Sequence, residues 1–288
     1  MKPVTILHVS DLHFGWPADL EQAEVLEEVA GIYRPDAIAI SGDLTQRARH
    51  GEFQRAHVFV RRMRQTAPTL VIPGNHDVQW WRSPLGLFGF RRRYEKYLHY
   101  FGPDLTPTLE LPGLVMASAL TAHGFSWGSL TLNPNDVSVK GHLPRAETDR
   151  VAKIFAAAPP DAAKVLVIHH NVLAGELSRR MGLARWRSAH RRLLATGADV
   201  VLCGHDHQEA AGQIEQRLAV SISGTHSSRS RGGRPSAFNL VRIDRDAVWV
   251  EHHRWDRERR RFARSDTFAF ARGRAEVGVS QTAVEPRP

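Results

Sequence analysis

Residues 4–13, VTILHVSDLH, establish the pattern from which the fold of this chain can be predicted. An apolar run rich in β-branched residues ends in Asp11 and His13, so a buried strand leads directly into side chains that bind divalent metals. The pattern recurs in the runs DAIAIS, TLVIP, KVLVI and DVVLC, each of which also precedes polar ligands. This repetition predicts strands whose carboxyl ends gather metal ligands at one edge of a sheet.

The candidate ligands come in five short blocks with a fixed order. Seven residues in these blocks are candidate metal ligands: Asp11, His13, Asp43, Asn75, His169, His205 and His207. Side chains two residues apart on an extended segment can point at a common centre, so Asp11 with His13, and His205 with His207, are natural pairs. One such motif alone would be weak evidence. Their joint occurrence favours a two-metal hydrolytic centre over a purely structural origin.

The order of predicted elements indicates an α/β (α+β) fold in one domain, residues 1–272. Strands at 4–10, 37–41 and 69–73 alternate with helical patterns near 20–32 and 50–65, which is typical of a parallel sheet with helices on its faces. Further strands begin near residue 108, and helices are predicted at 144–158 and 186–196. After residue 208 the alternation of apolar and polar residues predicts antiparallel strands. Residues 273–288 have few apolar anchors and are predicted to be a disordered tail.

Composition limits the class of protein. The 288 residues suffice for one large domain with a buried core, and the single cysteine, Cys203, excludes an internal disulfide and a multi-cysteine zinc site. Cys203 lies in an apolar run, so we expect a buried thiol. The formal charge of +9 indicates anionic ligands, although the large excess of arginine over lysine can equally reflect genomic base composition. No signal peptide or membrane span is visible, which predicts a cytoplasmic protein.

The five blocks together resemble those of the calcineurin-like metallophosphoesterases, over roughly residues 4–255. Within that family, the chain is most similar to the bacterial cyclic-nucleotide phosphodiesterase and glycerophosphodiesterase branch. The resemblance implies a four-layer α-β-β-α sandwich and a centre of two divalent metal ions, drawn from manganese, iron, zinc, nickel and cobalt. It also implies that His76 and Asp43 are catalytic, with His76 stabilising or protonating the developing charge on a phosphate oxygen.

The resemblance further implies how the ligands divide between the two metals. One metal would be bound by Asp11, His13, Asp43 and His207. The other would be bound by Asp43, Asn75, His169 and His205, with Asp43 as the bridge.

Two positions depart from family patterns. Gln46 stands where the protein phosphatase branch has an aspartate that orients the equivalent of His76, which argues against that branch. Asn171 stands where the bacterial phosphodiesterases usually have proline. His170, the neighbour of His169, remains an alternative metal ligand.

The segments between the blocks carry the candidate substrate contacts. His170 and, in the loop GTHSSRSRGGRP, His226, Arg229 and Arg231 are candidate substrate-binding residues, unless that loop is only a flexible basic surface. Residues 79–107 form an insertion rich in aromatic residues and arginine. It is either a small helical unit that buries its own aromatics, or a cap that stacks on a nucleobase or touches anionic lipid. Residues 174–187 are a candidate for the opposite wall.

The predicted function is hydrolysis of phosphodiester bonds, in nucleotides that are cyclic or linear, by attack of metal-bound hydroxide without a covalent intermediate. The predicted partner is a small-molecule phosphoester, with weak contact to anionic membranes and no specific nucleic-acid partner. One alternative is a peripheral-membrane hydrolase of a lipid-linked pyrophosphate of the UDP-diacylglucosamine type. Another is a catalytically silent interaction module that the metals stabilise.

Overall fold

The structure is a computed structural model that describes residues 2–16, 20–83, 87, 89–124, 128–129, 140–227 and 231–272. The described strands are β1 (Val4–Val9), β2 (Ala37–Ile40), β3 (Thr69–Val71), β4 (Thr108–Leu111), β5 (Leu114–Ser118), β6 (Ala163–His170), β7 (Val200–Gly204), β8 (Ala210–Ile214), β9 (Leu218–Ile222), β10 (Ala237–Ile243), β11 (Ala247–Asp256) and β12 (Arg261–Ala271). The described α-helices are α1 (Leu20–Tyr33), α2 (His50–Thr66), α3 (Glu95–Phe101), α4 (Arg145–Ala157) and α5 (Trp186–Leu194). The predicted tail, residues 273–288, lies outside the described residues.

The strands form two six-stranded sheets. The first has the order β12-β11-β10-β1-β2-β3, and the second has the order β4-β5-β6-β7-β9-β8. In the first sheet β1, β2 and β3 are parallel, while β10 pairs antiparallel with β1. In the second sheet β5, β6, β7 and β9 are parallel. Each sheet therefore contains a parallel group whose carboxyl ends share one edge.

Three apolar cores establish the layer order. One core lies between the sheets and includes Ile6, Val165 and Val241. A second packs α1 and α2 on the first sheet, and a third packs α4 and α5 on the second sheet. Strands such as β1 and β6 are covered on both faces, which explains why they are continuous apolar runs in the sequence. The predicted four-layer α-β-β-α sandwich is confirmed.

Tyrosines of the aromatic insertion pack into the core against α2, whereas Trp81 is half exposed. Tyr94 and Tyr97 are fully buried, and their hydroxyls donate to the carbonyls of Ala122 (2.6 Å) and Val71 (3.1 Å). Tyr100 stacks on Phe53 with ring centroids 5.6 Å apart. For these tyrosines the structure favours packing over a substrate cap. The side chains of Trp80, Phe88 and Phe90 lie outside the described residues.

The structure also bears on the single cysteine and on membrane-spanning helices. Cys203 is buried, and burial raises the pKa of its thiol to about 12. Among the described residues, no helix is both long enough and apolar enough to traverse a bilayer.

A buried ion pair fastens the end of β12 to the second sheet. The Arg272 guanidinium donates to Asp199 (2.7 Å) and to the Ala162 carbonyl (2.7 Å), and Asp199 also accepts the Lys164 amide (2.8 Å). We predict that Asp199→Ala lowers the free energy of unfolding by about 3–5 kcal/mol, because it removes the carboxylate that pairs with a buried cation. Denaturant unfolding measures this. Arg259→Ala, which breaks an exposed pair with Asp256, is the control and should leave the free energy of unfolding close to that of the wild type.

Candidate metal centre

The carboxyl ends of parallel strands from both sheets meet at one site. The loops after β1, β2 and β3 carry Asp11, His13, Asp43, Asn75 and His76. The carboxyl end of β6 carries His169, and the loop after β7 carries His205 and His207. Since β1–β3 belong to one sheet and β6 and β7 to the other, the site spans the seam between the sheets. The structure thus brings all seven predicted ligands together, although they lie far apart in the sequence.

One group of side chains surrounds Asp11. Nε2 of His207 lies 3.3 Å from Asp11 Oδ1, and Nε2 of His13 lies 3.7 Å from the same oxygen. The two Nε2 atoms are 2.9 Å apart, so both imidazoles point at one place. Ligand atoms of Asp11, His13, Asp43 and His207 all lie within 4.8 Å of one another, which is the spacing of a candidate metal site.

A second group surrounds Asn75. Its Oδ1 lies 2.9 Å from Nε2 of His169 and 2.9 Å from Nδ1 of His205. Asp43 Oδ2 is 3.4 Å from His169 Nε2 and 3.9 Å from His13 Nε2. One carboxylate oxygen of Asp43 therefore lies between the two groups.

His169 and His170 both lie at the second group. Nδ1 of His169 donates to the Ser41 carbonyl (2.9 Å), which directs its Nε2 toward Asp43 and Asn75. His170 lies with its ring centroid 4.4 Å from that of His205, and its Nδ1 is 2.9 Å from the Thr121 hydroxyl. Both belong to a possible metal-binding group with His205. The contact with Asp43 favours His169, in line with the sequence prediction, while His170 stays close enough to be an alternative.

The backbone at the ligands is strained. Five of the predicted ligands have left-handed φ angles: Asp11 (53°), His13 (48°), Asp43 (49°), His205 (73°) and His207 (59°). Non-glycine residues adopt this region rarely, and such strain clusters at functional sites. The surrounding packing therefore maintains backbone conformations that these residues would not adopt alone.

Glycines let the loops approach one another. A Cβ at Gly74 would clash with Asp43, and a Cβ at Gly204 would clash with Ser10 and Asp11. Gly42 has φ +103° and lies under the His169 ring. The glycine that precedes Asp43, Asn75 and His205 in each block is thus a packing requirement of the centre.

Asp77 is a structural residue that the sequence prediction missed. Its buried carboxylate accepts hydrogen bonds from the backbone amides of Leu44 (3.0 Å), Thr45 (2.8 Å) and Gly74 (2.9 Å), and from the Thr45 hydroxyl (2.8 Å). It therefore joins the Asp43 loop to the Asn75 loop. The signal was present, because an aspartate at the third position of a short helix can cap the helix start as it does at Gly74, but Leu44 and Thr45 lie over thirty residues upstream.

The charges in the centre favour binding of cations. Burial opposes ionisation of Asp11 and Asp43, yet the surrounding histidines hold the pKa of both carboxyls well below the usual range. Burial also opposes protonation of His169, but Asp43 outweighs it and raises the pKa to about 9. Burial and the nearby His169 lower the pKa of His205 to about 3. Two ionised carboxylates, the neutral imidazole of His205 and an amide oxygen are suitable donors for divalent transition metals, and a bound ion would take the place of the extra proton on His169.

His76 is oriented by the main chain. Its Nδ1 donates to the Gln46 carbonyl (2.8 Å), and its backbone amide donates to Asp43 Oδ1 (2.8 Å). The His76 ring is partly exposed and lies 4.8 Å from the His13 ring. The main-chain carbonyl of Gln46 therefore orients the His76 ring without a carboxylate at that position.

The other predicted substrate-binding residues are His226, Arg229 and Arg231. His226 is buried with its ring 5.6 Å from Phe262, and its backbone amide donates to the Asp11 carbonyl (3.2 Å). Burial lowers the pKa of its imidazole to about 4. The structure therefore places His226 behind Asp11 rather than on an open surface. Arg229 and the side chain of Arg231 lie outside the described residues, so their roles stay predictions.

The sequence of this chain is similar to those of known phosphoesterases. The profile of the family described as calcineurin-like phosphoesterase matches residues 4–209. The glycerophosphodiester phosphodiesterase GpdQ of Enterobacter lignolyticus (strain SCF1) is 26% identical over 237 residues, covering 76% of this chain and 77% of that protein.

Two solved structures share the fold. A dimetal phosphatase from Danio rerio has a TM-score of 0.63 at 11% identity, covering 93% of this chain and 99% of that one. PhoD has a TM-score of 0.65 at 11% identity, covering 99% of this chain and 73% of that one.

We predict that Gly204→Ala weakens metal binding, because the new methyl group displaces Asp11 and disturbs its bond from the His205 amide (2.8 Å). The loss of stability should be about 1–3 kcal/mol. Gly51→Ala, in α2 with nothing near its Cβ position, is the control and should gain roughly 0.5–1 kcal/mol. Metal titration and denaturant unfolding measure both effects. Metal affinity equal to that of the wild type would contradict the packing argument.

We also predict that Asp77→Asn loosens the centre, since the new amide turns a donor toward backbone N–H groups. Stability should fall by about 1–3 kcal/mol, with weaker metal affinity. Asp246→Asn, on an exposed turn, is the matched control. If both variants bind metal and unfold alike, Asp77 does not hold the loops.

Proposed function

The chain belongs to the calcineurin-like phosphoesterase family, and from that premise we propose that it is a dinuclear metal-dependent phosphodiesterase whose substrates are small diesters, nucleotides above all. Family membership makes it a hydrolase that acts on phosphoesters. The finer parts of the proposal are the two metals, their ligands and the substrate. The observation that carries it is the position of Asp43 Oδ2 between His13 (3.9 Å) and His169 (3.4 Å).

The proposed ligand sets follow the two groups of side chains. Asp11, His13, Asp43 and His207 would hold one ion, and Asp43, Asn75, His169 and His205 would hold the other. Asp43 would bridge, because one of its oxygens faces both groups. When bound, two divalent ions would acidify a water and neutralise phosphate oxygens.

His76 is the proposed acid or electrostatic partner. Its Nδ1 hydrogen is committed to the Gln46 carbonyl, so Nε2 is the nitrogen available to the substrate. A proton on Nε2 would stabilise charge on an oxygen of the phosphate or pass to the leaving oxygen. The His76 amide at Asp43 Oδ1 fixes the distance between this ring and the bridging carboxylate.

Diesters are favoured as substrates by the relative named above, which is a glycerophosphodiester phosphodiesterase. That name also supports glycerophosphodiesters as a second candidate class. The nucleotide proposal rests on the net charge of the whole chain, +9, which favours anionic substrates. Tyr94 and Tyr97 contribute nothing to it because they are buried in the core. Stacking of a base on these two rings is therefore not part of the proposal.

We predict that His76→Ala lowers kcat on bis(4-nitrophenyl) phosphate by about 10²–10⁴-fold with metal content retained. Asp43→Asn should lose both bound metal and activity, because it removes the bridge. His99→Ala, at an exposed position of α3, is the control and should leave both unchanged. Colorimetric assay and elemental analysis give the two readouts. Full turnover in both site variants, with metal bound, would overturn the proposed mechanism.

A further inference from the structure

One polar side chain closes the loop that follows the ligand histidines of β6. Asn171 is buried, and its Nδ2 donates to the carbonyls of Leu173 (2.8 Å) and Arg180 (3.0 Å). Its own carbonyl accepts the Gly182 amide (3.1 Å). The chain therefore leaves Asn171 into residues 172–182 and returns to it, at the position where the bacterial phosphodiesterases that the sequence resembles usually have proline.

The same loop is fastened to the loop that carries His205 and His207. Ser178 donates to Asp206 Oδ2 (3.0 Å), and the Leu177 amide donates to the Gln208 side chain (3.0 Å). Gln208 in turn donates to Asp206 Oδ2 (2.7 Å). Asp206 lies between the two histidines in sequence. Residues 172–182 are thus anchored next to His170 through Asn171, and next to His205 through Asp206.

The loop also touches the segment after β9. Leu177 packs so closely against Gly232 that a Cβ at Gly232 would clash with the Leu177 side chain. Glu176 forms an ion pair with Arg234. Residues 174–180 and 231–234 together make a continuous rim beside the centre, and we call these residues the rim.

Two arginines of the rim lack a compensating carboxylate among the described residues. Arg179 and Arg180 are exposed, and neither forms an ion pair with any residue in the described ranges. Arg234 is different because Glu176 and Glu209 (3.8 Å) compensate its charge. Arg179 is also held at φ 52°, with its amide donating to the Gly175 carbonyl (2.7 Å). Two exposed arginines without a compensating carboxylate, one of them held in a strained backbone conformation, are suited to binding an anion.

We propose that the rim is the specificity wall of the site, that Arg179 and Arg180 bind a second phosphate on the substrate beyond the scissile diester, and that Asn171 is their positioning residue. The substrate class is then a nucleotide diester that carries a further phosphomonoester. This inference rests on the proposed phosphodiesterase activity. It goes beyond that activity because the metal centre itself contacts only the scissile group.

A matched pair of chromogenic substrates tests the charge. Thymidine 5′-(4-nitrophenyl phosphate) is compared with the same compound bearing a 3′-phosphate. The wild type should have a KM about fivefold to tenfold lower for the 3′-phosphorylated compound, because charge-assisted hydrogen bonds to its second phosphate strengthen binding. Arg179→Ala with Arg180→Ala should bring the two KM values together.

The control removes the same charge elsewhere. Arg217→Ala with Arg245→Ala alters exposed residues on turns at the opposite ends of the sheets, and should keep the KM ratio of the wild type. A ratio that stays unchanged in the Arg179 and Arg180 variant, or equal KM values in the wild type, would overturn the inference. Failure of the wild type to cleave either compound or bis(4-nitrophenyl) phosphate would instead count against the proposed function.

Asn171→Asp tests the positioning, since it keeps the shape and removes both N–H donors. Trypsin should cleave after Arg179 or Arg180 on the order of tenfold faster, because the loop opens more often. The preference for the 3′-phosphorylated substrate should fall while kcat changes little, an effect that general destabilisation would not give. Thr196→Val, which removes a turn-closing hydroxyl between α5 and β7, is the control. Equal cleavage rates and an unchanged KM ratio in Asn171→Asp would exclude the positioning role.

Discussion

The centre depends on how closely three loops approach one another around Asp43. Gly74 leaves room for the Asp43 side chain and backbone, and Gly42 passes under the His169 ring. Asp77 gathers the amides of both neighbouring loops on one carboxylate. Any side chain at the glycines would push the loops apart. Strained φ angles at the ligands are tolerated because this packing determines the backbone from several sides at once.

The second constraint is that the ligands come from two sheets. An apolar core holds the sheets face to face, but a core alone does not set their offset. Below the centre, His8 of β1 contacts the hydroxyls of Ser41 (3.0 Å) and Ser221 (2.9 Å), and so links the sheets by hydrogen bonds. Burial lowers the pKa of His8 to about 3, which keeps it neutral in that role. The Ser41 carbonyl then orients His169, so the link between the sheets reaches the ligands.

The sequence is informative where a short pattern has one physical meaning. Apolar runs followed by ligands identify β1, β2, β3, β6 and β7, and the parallel order then brings Asp11, Asp43 and Asn75 to one edge. Contacts over long sequence separations are not readable in this way. Asp77 acts on amides of another loop, and Tyr97 is buried by α2 rather than exposed on a cap. His226 looks like a loop histidine, but its backbone bond to Asp11 turns the ring into the interior.

The division between ligands and rim has a consequence for substrate choice. Asp43 and the imidazoles act on a phosphoryl group, and that group is common to every phosphoester. Discrimination must therefore come from contacts beyond it, which lie on segments such as 172–182. Asp206 belongs to the ligand loop and also receives the Ser178 hydroxyl, so a substitution of Ser178 would be felt at His205 and His207. Specificity and metal geometry are thus joined at the Ser178–Asp206 hydrogen bond, whereas Asn171, Arg179 and Arg180 act on the wall away from that bond.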